Sequence, residues 1–447
     1  MVTLGRVDSP PMRLQVSEIA RAIGGQMAGP DVVVDGAAFD SRAVLPGQLF
    51  VPVVADRNGH DFVRAAVGHG AIAYLTSEGQ FAVDATAIEV ADTAAAFMTL
   101  GALARTRLPE RVIGITGSVG KTSVKDLADA AFRGHFRTKS NPKSLNNELG
   151  LPQTLCNAPD GTEVVIVEMG MRGLGEIARL CDVARPTIGV VTVIGEAHTG
   201  RLGGLAGVAQ AKGELVEALP ATGFAVLYAD QDECLALGSR TSAAVITFGR
   251  WAGDVRADQI VLDDLARSRF VLRTPWGHLP VALQLSGAHM AVNAAAAATA
   301  ALVAGVPLDE VVHGLEVASL SPWRMDVQRR GDGLVVLNDA YNANPTSMRA
   351  ALDALASLGV SGRRVAVLGV MAELDDDGAA RHRAMADYAL GLGLEVIIVG
   401  TDKYGLAPVL TPEPLLASLG PGDAVLFKAS RVAGLEASAA AVLAAWT

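Results

Sequence analysis

Apolar residues fall along this chain in short unbroken runs more often than in strict alternation. VIGIT (112–116), VVIVEMG (164–170), TIGVVTVI (187–194) and GFAVLYAD (223–230) are separated by stretches with helical spacing. Such runs, rich in β-branched residues, fit strands buried on both faces. Strands alternating with helices predict a parallel sheet built of right-handed crossovers. Upstream, DVVVDGAAF, GQLFVPVV and GAIAYLT are β-like runs mixed with helical pieces such as SEIARAIGG; downstream, LVVLNDAY, RVAVLGVM, EVIIVG and AVLFKAS resume the strand–helix rhythm. Pro109 and the segment SLSPWRMD (319–326) mark the two boundaries. The expected fold is α/β in three domains: a small unit over 1–108, a central parallel-sheet unit over 109–320, and a Rossmann-like unit over 321–447.

Two stretches depart from the rhythm. RFVLRTPWGHLPVALQL (269–285) alternates about a Pro-Trp-Gly turn and predicts a small antiparallel insert. MAVNAAAAATAALVAGV (290–306) is mostly alanine, carries Asn293, and falls short of the roughly 20 strongly apolar residues a membrane span needs. It predicts a buried helix.

Composition narrows the function classes. A length of 447 residues suits about three domains, and a hydrophobic share of 50% suffices for large cores. The net charge of −10 is spread along the chain, which disfavours nucleic acid or a membrane surface as partner. Cys156, Cys181 and Cys234 have neither paired nor metal-ligand spacing, as suits a reducing compartment. The opening MVTLGRVDSPPMRLQ has no apolar core of a signal peptide, so a cytoplasmic location is expected. Only seven of the 37 basic residues are lysine, which reads as the bias of a GC-rich genome.

In open parallel sheets, ligands gather beyond the carboxyl ends of the strands. Polar residues do cluster there: Thr116 to Thr122 after the first central run, Glu168 ending the second, Glu196 and His198 after the third, Asn338 and Asp339 ending a run in the last domain. The first cluster, GITGSVGKTS (114–123), has the Gly-Lys-Thr of a phosphate loop, but Ile115 stands where the common form has its first glycine. Gly117 and Gly120 would still let backbone N–H groups approach phosphate oxygens at a helix N-terminus. Lys121 would neutralise phosphate charge, and the Thr122 hydroxyl would reach Mg²⁺. Glu168 offers a hard oxygen ligand. Taken alone, His198 reads as a structural histidine and Lys212 as a surface lysine on a helix. His289 and Asn293, four apart, share one face of the alanine helix and need partners if buried. NDAYNANPTSM (338–348) packs Asn338, Asp339, Asn342 and Asn344 around one tyrosine, as either a turn or a site.

Taken together, these motifs resemble the Mur ligase superfamily, ATP-dependent enzymes that add amino acids to the peptidoglycan precursor. TGSVGKTS matches that family's shorter phosphate loop, and the resemblance continues through DSRAVLPGQLFV, NNELGLP, EMGMRGLGEI, AHTGRLG, AKGEL, GAHMAVNAAAA, WRMD and YNANPTSM. NDAYNANPTSM, GVMAELDDDGAARH and GDAVLFKASR resemble the branch that joins D-alanyl-D-alanine to UDP-N-acetylmuramoyl tripeptide.

The resemblance implies a UDP-sugar-binding first domain, an ATP-binding central domain and a last domain that takes the incoming dipeptide. It implies Thr116, Gly117, Ser118, Gly120, Lys121, Thr122, Ser123, His289, Asn293, Arg324 and Asp339 at ATP. It implies Lys121, Glu168, His198 and Lys212 in catalysis, with two Mg²⁺ ions held by Thr122, Glu168, His198 and a carbamylated Lys212. Ser41, Arg42, Asn58 and His60 would contact the UDP-sugar, Asn146 and Asn147 the peptide, and Tyr341, Asn342 and Asn344 the dipeptide. The expected protein is a monomer that closes about residues 318–324. Departures from the family pattern are Asn338 before Asp339, Lys143-Ser144 before the paired asparagines, and Asn58 before Gly-His. A ligase for another acceptor and a non-catalytic nucleotide-binding relative are the competing readings.

Overall fold

The computed structural model describes residues 11–142, 144–195, 202–374 and 378–445. At its centre is a nine-stranded sheet. In spatial order its strands are Gly277–Ser286, Arg267–Thr274, Val255–Leu262, Ala244–Gly249, Phe224–Tyr228, Ile188–Val191, Val112–Thr116, Val164–Glu168 and Thr138–Ser140. From Val255–Leu262 to Thr138–Ser140 all neighbours run parallel. Every residue of Val112–Thr116 and Val164–Glu168 is buried, as the unbroken apolar runs require.

The hairpin expected at 269–285 forms as Arg267–Thr274 and Gly277–Ser286, but it is not a separate insert. Val255–Leu262 pairs parallel with Ala244–Gly249 and antiparallel with Arg267–Thr274, which splices the hairpin into the main sheet. Pro280 is tolerated there because Gly277–Ser286 is the edge strand.

The helix Lys121–Arg133 and the alanine helix Ala288–Val303 share one apolar cluster against the sheet. Ala294, Ala295, Ala296, Ala297 and Ala298 are fully buried, so the helix backbone comes close to its neighbours. Larger side chains such as Leu127 and Phe132 fill the remaining space. Truncating Leu127 to alanine would cost about 2–5 kcal/mol.

The first domain carries a five-stranded sheet in the order Gln26–Ala28, Thr86–Glu89, Ala73–Thr76, Leu49–Phe50, Ala37–Ala38. Its helix Thr93–Arg105 places Phe97 and Leu100 in the same apolar cluster as Leu151 and Leu155 of the central domain. Arg105 donates through Nε to the Ala184 carbonyl (2.6 Å), at the end of the helix Glu176–Ala184. A guanidinium satisfies last-turn carbonyls and complements the helix dipole.

The last domain has a six-stranded sheet, ordered Asp326–Arg329, Val335–Asp339, Ala424–Lys428, Arg364–Leu368, Glu395–Val399, Pro408–Val409. Only its first strand is antiparallel. Among the described residues, no helix is long and apolar enough to cross a membrane.

Candidate active site between the central and last domains

Val112–Thr116 lies between Val164–Glu168 and Ile188–Val191, where connections leave to opposite sides of the sheet. That switch point opens a crevice beyond the strand ends. The phosphate loop fills it, and glycine is required at two places. A Cβ on Gly117 (φ +148°) would stand 1.9 Å from Thr192 Oγ1, and one on Gly120 (φ +86°) would stand 2.9 Å from Asn293 Oδ1. The loop is zipped to its neighbours by Ser118 Oγ, which donates to Gly195 O (3.0 Å), and by Thr192 Oγ1, which donates to Val119 O (2.5 Å). Thr116 is fully buried beneath it and donates to Met169 O.

The loop opens on a cleft of about 320 Å³ lined from both domains. From the central domain come Lys121, Thr122, Ser123, Glu168, His289 and Asn293; from the linker and last domain come Arg324, Asp339, Tyr341, Asn342, Asn344 and Lys428. Lys121 Nζ donates to Gly117 O (2.8 Å), folded back over the loop. Burial pushes its pKa down, opposed by the charges of Glu168 and Glu373. Thr122 Oγ1 donates to Glu168 Oε2 (2.8 Å), and Asn146 Nδ2 donates to Glu168 Oε1 (2.7 Å).

Glu168 is 1% exposed, and among the described residues its carboxylate has only these neutral donors and no ion pair. A buried carboxylate without a cation is costly. Together with the Thr122 hydroxyl, it is an all-oxygen donor set that suits Mg²⁺. The described residues hold no cluster of three or more His, Cys, Asp or Glu side chains placed for a metal ion. His198 lies outside the described residues.

Lys212 is 3% exposed, not the surface lysine that its spacing alone suggests. It shares the buried stripe of the helix Leu205–Glu217 with Val208, Ala211, Leu215 and Val216, and that period was readable in the sequence. Among the described residues no hydrogen bond or ion pair engages its ammonium. Burial lowers its pKa well below the usual value, Lys121 lowers it further, and Glu373 pulls it up.

Across the cleft Arg324 donates through NH2 to Thr122 Oγ1 (3.0 Å) and Ser144 Oγ (3.3 Å), with its guanidinium 4.1 Å over the Tyr341 ring. Among the described residues its Nε is buried without a partner, a donor suited to an anionic oxygen. Asp339 pairs with Lys428 Nζ (2.7 Å). Lys428 Nζ also donates to Asn342 O (2.6 Å), and burial lowers its pKa while Asp339 raises it. Asn342 Nδ2 donates to Glu373 (3.3 Å). Asn344 lines the cleft, but its side chain caps the helix Pro345–Ala356 in a capping box with Ser347. Asn147 lines it too, while its Oδ1 accepts from Gly150 N (3.0 Å). His289 is held toward its neutral form by burial.

Ser41, Arg42, Asn58 and His60 are not brought into this cleft; they sit in the first domain. Arg42 is exposed and forms a bidentate pair with Asp40 (2.9 and 2.8 Å). His60 is buried: its Nδ1 lies 2.9 Å from Asn58 Oδ1, and its Nε2 accepts from Ser77 N (3.0 Å). Lys428 and Glu373 were missed in the sequence. Lys428 ends the buried strand Ala424–Lys428, so the strand-end argument that found Asp339 applies to it equally. Lysine scarcity was a second signal: of seven lysines, Lys121, Lys212 and Lys428 line the cleft, and Lys125 is buried behind it.

A phosphate loop facing a second α/β domain across one polar cleft defines a nucleotide-dependent enzyme that works between two domains. Residues 115–301 match the Mur ligase middle domain and 323–437 the Mur ligase glutamate ligase domain. The chain is 37% identical to a UDP-N-acetylmuramoyl-tripeptide–D-alanyl-D-alanine ligase of Mycobacterium tuberculosis, over 97% of this chain and 98% of that protein. A crystal structure of MurF from Acinetobacter baumannii superimposes with a TM-score of 0.88 at 28% identity, covering 97% of this chain and 99% of that one. The MurF ligase of Thermotoga maritima, solved in complex with ADP, gives 0.79 at 25% identity, covering 90% and 95%. The chain belongs to the Mur ligase family.

Proposed function

We propose that this protein joins D-alanyl-D-alanine to UDP-N-acetylmuramoyl tripeptide at the expense of ATP, in peptidoglycan precursor synthesis in the cytoplasm. The observation that carries this reading is the facing of Lys121, Thr122 and Glu168 by Arg324, Asp339, Tyr341 and Asn342 across one cleft. It is supported by similarity along nearly the whole length to ligases of that name.

The tripeptide's terminal carboxylate attacks the γ-phosphorus of ATP, and the bond to ADP breaks. The amine of D-alanyl-D-alanine then attacks the acyl-phosphate carbon, loses its proton, and phosphate leaves as the amide forms. This chemistry needs no protein nucleophile; it needs in-line placement and charge neutralisation. Lys121 and the loop amides meet the β- and γ-phosphates, and Arg324 supplies a second cation from the linker. His289 and Asn293 line the adenine side.

Thr122 and Glu168 would hold one Mg²⁺, and Lys212 with His198 a second. Bound there, the metal withdraws charge from the phosphate oxygens. Lys212 fits that role as a carbamate: burial favours its neutral amine, the form that adds to CO₂ with loss of a proton, and the product is an oxygen ligand. A carbamate carbonyl signal in ¹³C NMR with labelled bicarbonate, lost in Lys212→Arg, tests this. Ser41, Arg42, Asn58 and His60 would face the UDP-sugar from the first domain, Asn146 and Asn147 the peptide, and Tyr341, Asn342 and Asn344 the dipeptide.

Phosphate release from ATP and the tripeptide, with and without D-alanyl-D-alanine, tests the reading. Release confined to that acceptor is expected. Release with a D-lactate-containing acceptor instead would keep the mechanism and change the substrate. Nucleotide binding with no release for any acceptor would favour a non-catalytic relative.

A further inference from the structure

Thr122 and Asp126 stand four residues apart on the helix Lys121–Arg133, so they share a face. The interdomain linker runs along that face. Arg324 NH2 donates to Thr122 Oγ1 (3.0 Å), while Ser321 donates to the Asp126 carboxylate through its backbone N (2.7 Å) and its Oγ (3.2 Å). The two residues flanking Arg324 are in the left-handed region: Trp323 has φ +62° and Met325 φ +51°. Bulky residues rarely adopt that conformation, and it persists where the surroundings over-determine it.

Both ends of this segment are held. Met325 N donates to Asp339 Oδ1 (3.1 Å), and Arg431 lies 4.6 Å over the Trp323 ring, both from the last domain. The other anchor is Asp126. Its charge is balanced by Lys125 (2.8 Å), with side-chain exposures of 12% and 2%. Lys125 Nζ also donates to Asn141 O (2.9 Å), and Asn141 Oδ1 accepts from Glu168 N (2.8 Å). One buried pair thus ties the linker to the strand end that carries Glu168.

We propose that Asp126 is a positioning residue: by gripping Ser321 it keeps the linker in its strained form and so sets the Arg324 guanidinium against the phosphate loop. It does not touch substrate; it acts through Arg324. The proposal rests on the reading of this cleft as the ligase's nucleotide site.

The test is titration of the full-length protein with ADP and Mg²⁺, which needs no acceptor. Asp126→Asn and Arg324→Ala are each expected to weaken ADP binding about tenfold, and the double variant to bind no more weakly than Arg324→Ala alone. In turnover, kcat should fall and KM for ATP rise, with KM for the tripeptide unchanged. Lys125→Met with Asp126→Leu removes both charges together and carries the same expectation if Asp126→Asn does not fold. ADP affinity within twofold of the parent in the variant that folds, or losses that multiply with Arg324→Ala, would overturn the proposal. If the parent binds ADP but releases no phosphate with any acceptor, the ligase reading fails while the titration still decides the role of Asp126.

Discussion

Two carboxylates end buried strands on opposite sides of the cleft, and they are treated differently. Glu168 accepts hydrogen bonds from Thr122 and Asn146 and has no ion-pair partner among the described residues. Asp339 is locked to Lys428 at 2.7 Å and also receives the Met325 amide. On the proposed reading, the first is a charge held ready for a cation from solution. The second is already neutralised from within and fixes the linker and the asparagine loop around it. Of the two strand-end carboxylates, one is therefore placed to bind charge and the other to keep the cleft's shape.

That contrast can be broken from either side. The largest effect expected is on Glu168→Gln, which keeps an acceptor for Thr122 but loses the charge. Turnover should fall about 1,000-fold, or about 4 kcal/mol of transition-state stabilisation. Melting temperature should hold or rise, because an uncompensated buried charge has been removed. A parallel loss of stability in a thermal melt would mean that Glu168 is structural. Asp339→Asn should do the reverse and destabilise the last domain by about 3 kcal/mol, because Lys428 is left buried and unpaired. Adding Lys428→Met should recover most of that loss in the same melt, and failure to do so would deny the pair its structural role.

Asn344→Ala sharpens the comparison on a smaller scale. Loss of the cap should cost about 1 kcal/mol in stability. An unchanged KM for D-alanyl-D-alanine would limit Asn344 to capping, and a raised KM would place it in the acceptor pocket.

The smallest effect concerns a third acid, Asp332, which Arg330 holds down to about 2 through a two-point hydrogen-bonded pair. Its folded pKa lies below its unfolded one. Its contribution is therefore fully present above about pH 4 and lost as pH falls toward 2. Asp332→Asn should flatten the stability–pH curve in that window and nowhere else.

Much of this was legible in the sequence where local pattern and environment coincide. Unbroken apolar runs gave buried parallel strands, and the residues just after them gave Lys121, Thr122, Glu168 and Asp339. What escaped depends on which helix face turns inward. Lys212 reads as exposed unless Val208 and Leu215 are seen to flank it on the same stripe. Asp126 looks like an ordinary helix acid until the linker, 195 residues away in sequence, lies against it. Asn58 and His60 illustrate the opposite limit. The resemblance gives them a UDP-sugar contact, while in the fold their side chains bond to each other and to Glu78 and Ser77, partners that the sequence does not show.

The most direct test of the account is to follow oxygen. The tripeptide is prepared with ¹⁸O in its terminal carboxylate and turned over with ATP and D-alanyl-D-alanine. Transfer of one ¹⁸O into each phosphate released is predicted, because the carboxylate itself attacks the γ-phosphorus before the amine displaces phosphate. Unlabelled phosphate would show that water attacks ATP in this cleft, and would contradict the ligase mechanism.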